Sequence, residues 1–238
     1  MTCITALHST KAMLLDVDGT LYRQTPVRLR MALELLEHYL AKRSPLELVR
    51  VMRNIACFRR TRERLRALGR PNSDLNELQY AEPAKELGID TGTLQETIVE
   101  WMVERPLPHL ARARRGGITR LLGLLADRDV RIGAFSDYPV VDKLKALNLH
   151  DYFSVTLCST DPEINAFKPH PAGFLRACEI WNLDPSDVVY IGDRTEVDGA
   201  GARAAGLPCL ILGATKGADG YCGFQSFDEL SDAIINHK

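Results

Sequence analysis

Two aspartates separated by one residue, Asp16 and Asp18, follow a short apolar run at residues 12–15. On an extended strand end, side chains two residues apart point to the same side, so the two carboxylates could act as a pair. Paired carboxylates can serve as nucleophile, as general acid and base, or as ligands for a divalent cation. An EF-hand calcium loop is disfavoured, because that loop follows a helix and ends in glutamate.

Three further polar residues, Ser136, Lys168 and Asp193, each follow another short apolar run. The carboxyl ends of parallel strands meet at one edge of a sheet, and ligands bind at that edge in open α/β folds. We therefore expect these residues to lie beside the two aspartates. One residue of this kind could be a chance occurrence, but four groups on one edge indicate a reactive site.

Five apolar runs bounded by polar residues, glycine or proline are typical of strands buried in a parallel sheet. They are residues 12–15, 130–135, 155–158, 188–191 and 209–212. Helical patterns at 118–126 and 171–181 alternate with these runs. The alternation predicts an α/β fold with a doubly wound, Rossmann-like parallel sheet.

The segment 22–116 lacks strand patterns and shows helix signals, such as proline in the first turn at Pro45. We predict that it forms an all-helical cap inserted after the first strand. The remaining residues, 1–21 and 117–238, would form the catalytic core. Residues 22–115 carry a net charge of +6 and the rest of the chain −7.

The composition excludes several classes of protein. A net charge of −1 and a pI near 6.6 argue against a nucleic-acid binder. Apolar runs fall short of the ~18 residues of a membrane span, and the first residues lack signal-peptide features. The six cysteines form no CxxC pair or metal-ligand pattern, so we expect them to be reduced. A cytoplasmic protein with no nucleic-acid or membrane partner is the resulting expectation.

Four motifs in this sequence resemble, in order, those of the haloacid dehalogenase (HAD) superfamily, most of whose members are phosphohydrolases with an aspartate nucleophile. They are DVDGTL at 16–21, Ser136, Lys168-Pro169 and GDRTEVD at 192–198. The resemblance implies the α/β core with a small helical cap, and a phosphatase acting on a small phosphate ester. Two positions depart from the usual pattern: Asp137 stands where asparagine is common, and Arg194 where a small polar residue is common.

The resemblance also implies a role for each residue. Asp16 would be the nucleophile that forms an aspartyl-phosphate. Asp18 would protonate the leaving alcohol and then activate water, which requires Asp18 to hold a proton beside an ionised Asp16. Ser136 and Lys168 would bind the phosphoryl oxygens.

The implied cofactor is Mg²⁺, bound by Asp16, the Asp18 carbonyl and Asp193, since this ion prefers oxygen ligands. Behind these ligands, Asp198 would order Lys168 or the metal's water molecules. Thr20 would orient Asp18.

Other functions remain open. A dehalogenase is disfavoured because Asp18 is present, and a phosphonatase because the segment 22–115 offers only Lys42 and Lys85 for a Schiff base. A phosphomutase of the β-phosphoglucomutase type would share all the core motifs. A non-catalytic binding protein could retain the fold, although its loss of activity would be expected to erase Asp16 or Asp18. The sequence does not indicate the substrate or the oligomeric state.

Residues 43–70 carry nine arginines, and helical spacing places seven of them on two faces. One face has Arg50, Arg53, Arg60 and Arg64, and another has Arg59, Arg62 and Arg66. Such a pattern is typical of a solvated surface. The alternative is that the first face lines the mouth of the site and binds a second anionic group of the substrate.

Overall fold

The computed structural model describes residues 10–214 and 222–236. Six parallel strands form one sheet in the order β3-β2-β1-β4-β5-β6. The strands are β1 (Ala12–Leu15), β2 (Arg131–Ser136), β3 (Val155–Cys158), β4 (Val188–Gly192), β5 (Cys209–Leu212) and β6 (Cys222–Phe224). The predicted doubly wound parallel sheet is confirmed. All five predicted strands are present, and the short β6 is an addition.

An all-helical insert lies between β1 and β2, as predicted. Its helices are α1 (Gln24–Ala41), α2 (Pro45–Leu68), α3 (Leu75–Leu87), α4 (Thr91–Ile98) and α5 (Leu107–Ala113), with a π-helical segment at Val99–Glu104. The helices around the sheet are α6 (Ile118–Ala126), α7 (Val141–Ala146), α8 (Ala172–Trp181), α9 (Ala200–Ala205) and α10 (Phe227–Asn236).

The two connections between the insert and the sheet lie side by side. The Arg23 N–H donates to the Ala113 carbonyl at 2.9 Å, and the Arg115 N–H donates to the Leu21 carbonyl at 3.0 Å. The chain therefore leaves the core and returns to it at one place. The division into a cap at 22–116 and a core formed by the remaining residues is consistent with this pairing and stays a prediction.

Strand β1 is buried on both faces, which fixes the position of the residues that follow it. Met13 and Leu15 pack in the cluster that contains α6 and α10, whereas Ala12 and Leu14 pack in the cluster that contains α8 and α9. The alternation follows from the two-residue repeat of a strand. The Asp16 N–H then donates to the carbonyl oxygen at the end of β4 at 2.8 Å, so the backbone of Asp16 is held by the sheet.

Among the described residues, no helix has both the length and the apolar character needed to cross a membrane.

Four cysteines, Cys57, Cys158, Cys178 and Cys209, are free, in agreement with the expectation of reduced thiols. Cys222 is disulfide-bonded, so the expectation is wrong for that residue. The cytoplasmic location stays a prediction.

The arginines of α2 divide between solvent and the core. The four predicted as an alternative to line the mouth are exposed, and Arg60 and Arg64 pair with Glu86 on α3. Their face is therefore a solvated one. Arg62 and Arg66, on another face of the same helix, are the residues that contact the core.

Arg62 and Arg66 hold α2 against the loop that follows β2. Arg62 is buried, donates to the Asp137 carbonyl at 2.6 Å and lies 4.0 Å from the ring centre of Tyr138. Arg66 donates to the Asp137 carboxylate at 2.9 Å and also to the Lys168 carbonyl. Asp137, the departure from the usual asparagine, is thus one half of an ion pair between insert and core.

Several groups around Asp137 favour its charged form. Ser159 Oγ donates to the carboxylate at 2.6 Å and the Lys168 N–H at 3.1 Å. Burial raises the pKa of Asp137, but the charges of Lys168, Arg66 and Arg62 outweigh it and hold that pKa below its usual value. The charge of Asp137 therefore stabilises the folded state.

Replacing Asp137 with asparagine should destabilise the protein by about 3 kcal/mol, since it leaves Arg66 without its buried carboxylate. The pKa is lowered in the folded state. The stabilisation should therefore be complete above the unfolded-state pKa of about 3.9 and lost as the pH falls through the folded value. Urea unfolding at about pH 7 and about pH 3 would show the difference between wild type and Asp137→Asn shrinking in acid. Asp142→Asn, at an exposed carboxylate on α7, is the matched control, and equal losses for both variants would contradict this role.

Candidate active site

The predicted site residues meet at the carboxyl edge of the sheet. Asp16 follows β1, Ser136 ends β2, and Asp193 follows β4, whereas Lys168 lies in the loop between β3 and α8. The chain proceeds from β1 to β2 on one side and later to β4 on the other. Such a topological switch point opens a crevice in which ligands bind.

Lys168 lies at the centre of the site and is buried. Its ammonium group donates to Asp16 Oδ1 at 2.6 Å, to Asp198 Oδ1 at 2.7 Å and to the Tyr190 hydroxyl at 3.0 Å. Burial lowers the pKa of Lys168, but the charges of Asp16 and Asp198 reverse this effect and raise that pKa well above its usual value. Lys168 is therefore a fixed positive charge between two carboxylates.

Asp198 is saturated by partners within the protein. Tyr190 donates its hydroxyl proton to Asp198 Oδ1 at 2.9 Å, while the backbone N–H groups of Asp193 and Arg194 donate to Oδ2 at 3.2 and 3.1 Å. Asp198 therefore orders Lys168, one of the two roles considered for it, and shapes the loop that carries Asp193.

The Asp16 carboxylate is held by two donors. Thr20 Oγ1 donates to Asp16 Oδ2 at 2.9 Å, opposite the lysine on Oδ1. The prediction that Thr20 orients Asp18 is wrong, because the turn after β1 brings residue 20 back over Asp16. Burial raises the pKa of Asp16 well above its usual value, and the nearby carboxylates add to this effect although Lys168 opposes it.

The Asp18 side chain is held by a different set of residues. Ser136 Oγ donates to one of its oxygens at 2.9 Å and the Tyr22 hydroxyl to the other at 2.5 Å, and the Lys143 ammonium lies 2.6 Å from both. Burial raises the pKa of Asp18, but Lys143 and these hydrogen bonds lower it below its usual value. That Asp18 holds a proton beside an ionised Asp16 stays a prediction.

Three carboxylates, Asp16, Asp193 and Asp198, offer oxygen atoms that all lie within 4.8 Å of one another. Asp193 Oδ1 is buried and has no hydrogen-bond partner in the part of the chain that the structure describes. Burial, together with the charge of Asp198, raises the pKa of Asp193 to about 6. An unpaired buried oxygen in an all-oxygen cluster fits a hard divalent cation, so the residues present are suited to hold one.

Gly19 allows this cluster to form. Its φ of +102° is a conformation that side chains other than glycine rarely adopt. A Cβ atom there would lie 2.2 Å from Asp193 Oδ2. The absence of a side chain therefore lets the turn after β1 approach the loop after β4.

Residues 10–206 match the model of the haloacid dehalogenase-like hydrolase family. The chain belongs to this family. It is 29% identical over 215 residues to a phosphoglycolate phosphatase of Nitrosospira multiformis, which covers 89% of this chain and 87% of that protein. The family and this relative confirm the prediction of a HAD-like, phosphatase-like hydrolase.

Solved structures of the HAD superfamily share the fold. A 2-haloacid dehalogenase of Pseudomonas syringae pv. Tomato has a TM-score of 0.64 at 22% identity, over 96% of this chain and all of that one. A HAD phosphatase of Thermococcus onnurineus has the same TM-score at 24% identity, over 94% and 98% of the two chains. At these identities the likeness concerns the fold.

Sequence reasoning missed three residues of this HAD site. Tyr190 belongs to a buried apolar run and has the pattern of a core residue. The predicted boundary places Tyr22 in the insert rather than in the site. Lys143 lies on α7, seven residues beyond Ser136, and only the start and direction of that helix bring its ammonium to Asp18.

A cavity of about 370 Å³ opens beside Asp18. Its walls come from α1, α2, the π-helical segment and α5 of the insert, and Tyr22, Tyr138 and Lys143 complete it on the core side. The lining includes Arg28 and Arg59 and none of the four arginines of the exposed face. The alternative role for those four, at the mouth of the site, is therefore wrong.

Replacing Lys143 with methionine should raise the pKa of Asp18, because it removes the charge that lowers it. If Asp18 acts as the acid, the alkaline limb of the pH profile for an alkyl phosphate should then move to higher pH. The measurement is kcat/KM against pH for the variant and the wild type. Lys145→Met, at an exposed lysine on the same helix, is the control. If the alkaline limb of Lys143→Met lies at the same pH as that of the wild type, Lys143 does not determine the pKa of Asp18.

Proposed function

We propose that this protein hydrolyses phosphate monoesters of small organic molecules through an aspartyl-phosphate on Asp16. The observation that carries the proposal is the position of Asp16. Its carboxylate is buried at the end of the central strand, held by Lys168 and Thr20, and Asp18 lies two residues away beside an open cavity. A carboxylate oriented in this way can act as a nucleophile towards phosphorus.

The Lys168 ammonium group and a bound cation would keep Asp16 ionised against the effect of burial. In the first half-reaction, an oxygen of this carboxylate attacks phosphorus and the bond from phosphorus to the ester oxygen breaks. The departing oxygen takes a proton from Asp18, so an alcohol leaves rather than an alkoxide. The negative charge of a bound phosphate raises the pKa of Asp18, which favours the protonated form in the enzyme–substrate complex. Lys168 counters the negative charge on the phosphoryl oxygens. The single hydroxyl proton of Ser136, which is donated to Asp18 in the structure, would turn to one of these oxygens when the phosphate binds.

In the second half-reaction, Asp18 takes a proton from water and the resulting hydroxide attacks phosphorus. The bond between phosphorus and Asp16 breaks, which releases inorganic phosphate and restores both carboxyl groups to their starting state. Lys143 and Tyr22 keep the Asp18 side chain in one orientation throughout. One residue can therefore act as the acid in the first step and the base in the second.

We propose that Asp16, Asp193 and the Asp18 carbonyl hold Mg²⁺. When bound, the ion stabilises the negative charge that develops on the phosphoryl oxygens. The unpaired, buried oxygen of Asp193 supports this assignment. Asp198 supports the cluster by orienting Lys168 and the loop that carries Asp193.

Hydrolysis is favoured over the two alternatives. A sugar phosphomutase must hold many hydroxyl groups, whereas the walls of the cavity are mainly apolar. A binding protein would not need Asp16, Asp18 and Lys168 in a reactive arrangement. If the substrate carries a second anionic group, the residues placed to meet it are Arg28 and Arg59.

Asp16→Asn should reduce turnover by more than about 1,000-fold, because an amide cannot attack phosphorus. Asp18→Asn should cost about 100- to 10,000-fold with alkyl phosphates, and less with p-nitrophenyl phosphate, whose leaving group scarcely needs a proton. Released phosphate is measured in the presence of Mg²⁺, and circular dichroism checks the fold. Near wild-type turnover by Asp16→Asn would remove it from the role of nucleophile. If Asp18→Asn loses the same factor in turnover on both substrates, Asp18 is not the general acid.

Activity should disappear in EDTA and return with Mg²⁺. Asp193→Asn should raise the Mg²⁺ concentration needed for half-maximal activity, whereas Glu196→Gln, in the same loop but exposed, should not. Because the pKa of Asp193 is about 6, the requirement for Mg²⁺ should increase as the pH falls below that value, where the protonated carboxyl loses its affinity for the ion. A requirement that does not change between about pH 5 and pH 8 would contradict this assignment.

A further inference from the structure

The cavity beside Asp18 is mainly apolar. Of its twenty lining residues, fifteen are apolar or aromatic. They include Leu35 on α1, Ile55 on α2, Trp101 and Met102 in the π-helical segment and Leu110 on α5. Every element of the insert that contributes to the cavity therefore presents apolar side chains. Replacing water by an apolar group in this space would be favourable, because it removes apolar surface from water.

The polar residues of the lining are few and unevenly placed. Asp18 and Lys143 belong to the reactive centre and bind each other at 2.6 Å. Gln24, Arg28 and Arg59 complete the set, and both arginines are exposed. The rest of the lining is therefore apolar or aromatic.

A small anionic leaving group fits this cavity poorly. A two-carbon carboxylate attached to the phosphate would occupy a small part of about 370 Å³. Its carboxylate could pair with Arg28 or Arg59, but most of the apolar wall would stay in contact with water. Ligand cavities of about 300–1,000 Å³ usually have mainly apolar walls and enclose a molecule larger than this.

We propose that the natural substrate is a phosphate monoester whose organic part is apolar and larger than a two-carbon acid. This inference rests on the proposed function, since it places the phosphate at Asp16 and the organic part in the cavity. The ester oxygen lies at Asp18, and the apolar body extends between α1, α2 and α5.

The first test is a series of linear primary alkyl phosphates: ethyl, butyl and hexyl. Their leaving alcohols have nearly the same acidity, so kcat/KM reports the contact with the cavity rather than the ease of bond breaking. We expect kcat/KM to increase about fourfold for each methylene group that the cavity buries. The longest member should exceed 2-phosphoglycolate.

Two variants narrow the cavity from different helices, Ala56→Phe on α2 and Ala32→Phe on α1. Both positions are exposed alanines of the lining, so a larger side chain is compatible with folding. Each variant should flatten the increase along the series. Val49→Phe, on α2 but outside the lining and 63% exposed, should preserve it.

Two results would overturn the inference. One is a flat series in the wild-type protein. The other is a preference for 2-phosphoglycolate that Arg59→Ala removes and Arg53→Ala, an exposed position outside the lining, retains. That outcome would assign the cavity to a small substrate with a second anion.

Binding of ethyl-, butyl- and hexylphosphonate, measured by calorimetry, separates this inference from the proposed function, because phosphonates are not hydrolysed. Affinity that increases with chain length and is weakened by Ala56→Phe would support the apolar site even if p-nitrophenyl phosphate were not hydrolysed. In that case the proposed hydrolysis would be contradicted, whereas the inference of an apolar binding site would stand. Hydrolysis of p-nitrophenyl phosphate without chain-length dependence in either series would leave the function standing and overturn the inference.

Discussion

The buried ammonium group of Lys168 is the interaction on which the site depends. Asp16 follows β1, whereas Asp198 lies in the π-helical turn Thr195–Gly199 after β4. Burying two carboxylates together without a positive charge would be strongly unfavourable. The Lys168 ammonium group donates to both carboxylates within 2.7 Å and also to the hydroxyl of Tyr190 on β4. One side chain therefore holds together the ends of β1 and β4 and the loop after β3.

The same lysine also connects the reactive centre to the insert, through its backbone. Its N–H donates to Asp137, and its carbonyl accepts from Arg66. Asp137 in turn binds both Arg66 and, through its carbonyl, Arg62. The position of α2 and the position of the Lys168 ammonium are thus parts of one network. A displacement of the insert would be felt directly at the backbone of the residue that orients Asp16.

The strand ends were predictable from the sequence, because short apolar runs that alternate with helical patterns are typical of a parallel sheet. That pattern located Asp16, Ser136 and Asp193 at one edge. Side-chain direction in helices and turns was not predictable, since it depends on where each helix starts and how it packs. The contact of Lys143 with Asp18 and that of Thr20 with Asp16 could therefore not be predicted. The same holds for the face of α2 that contacts the core. Strand β6 has only three residues, too few for a periodic signal.

The paired connections at the base of the insert affect how this chain could have been assembled and how it folds. Backbones joined by hydrogen bonds lie about 5 Å apart. The two ends of the insert are therefore as close together as the two ends of a short hairpin loop. A segment of different length that kept partners for Asp137 would cost little more entropy, because the cost of closing a loop grows slowly with its length. Once the insert has folded, β1 and β2 can find each other as near neighbours despite more than a hundred intervening residues. The residues of the insert that line the cavity could thereby vary without a change in the backbone pairing that joins the insert to the sheet.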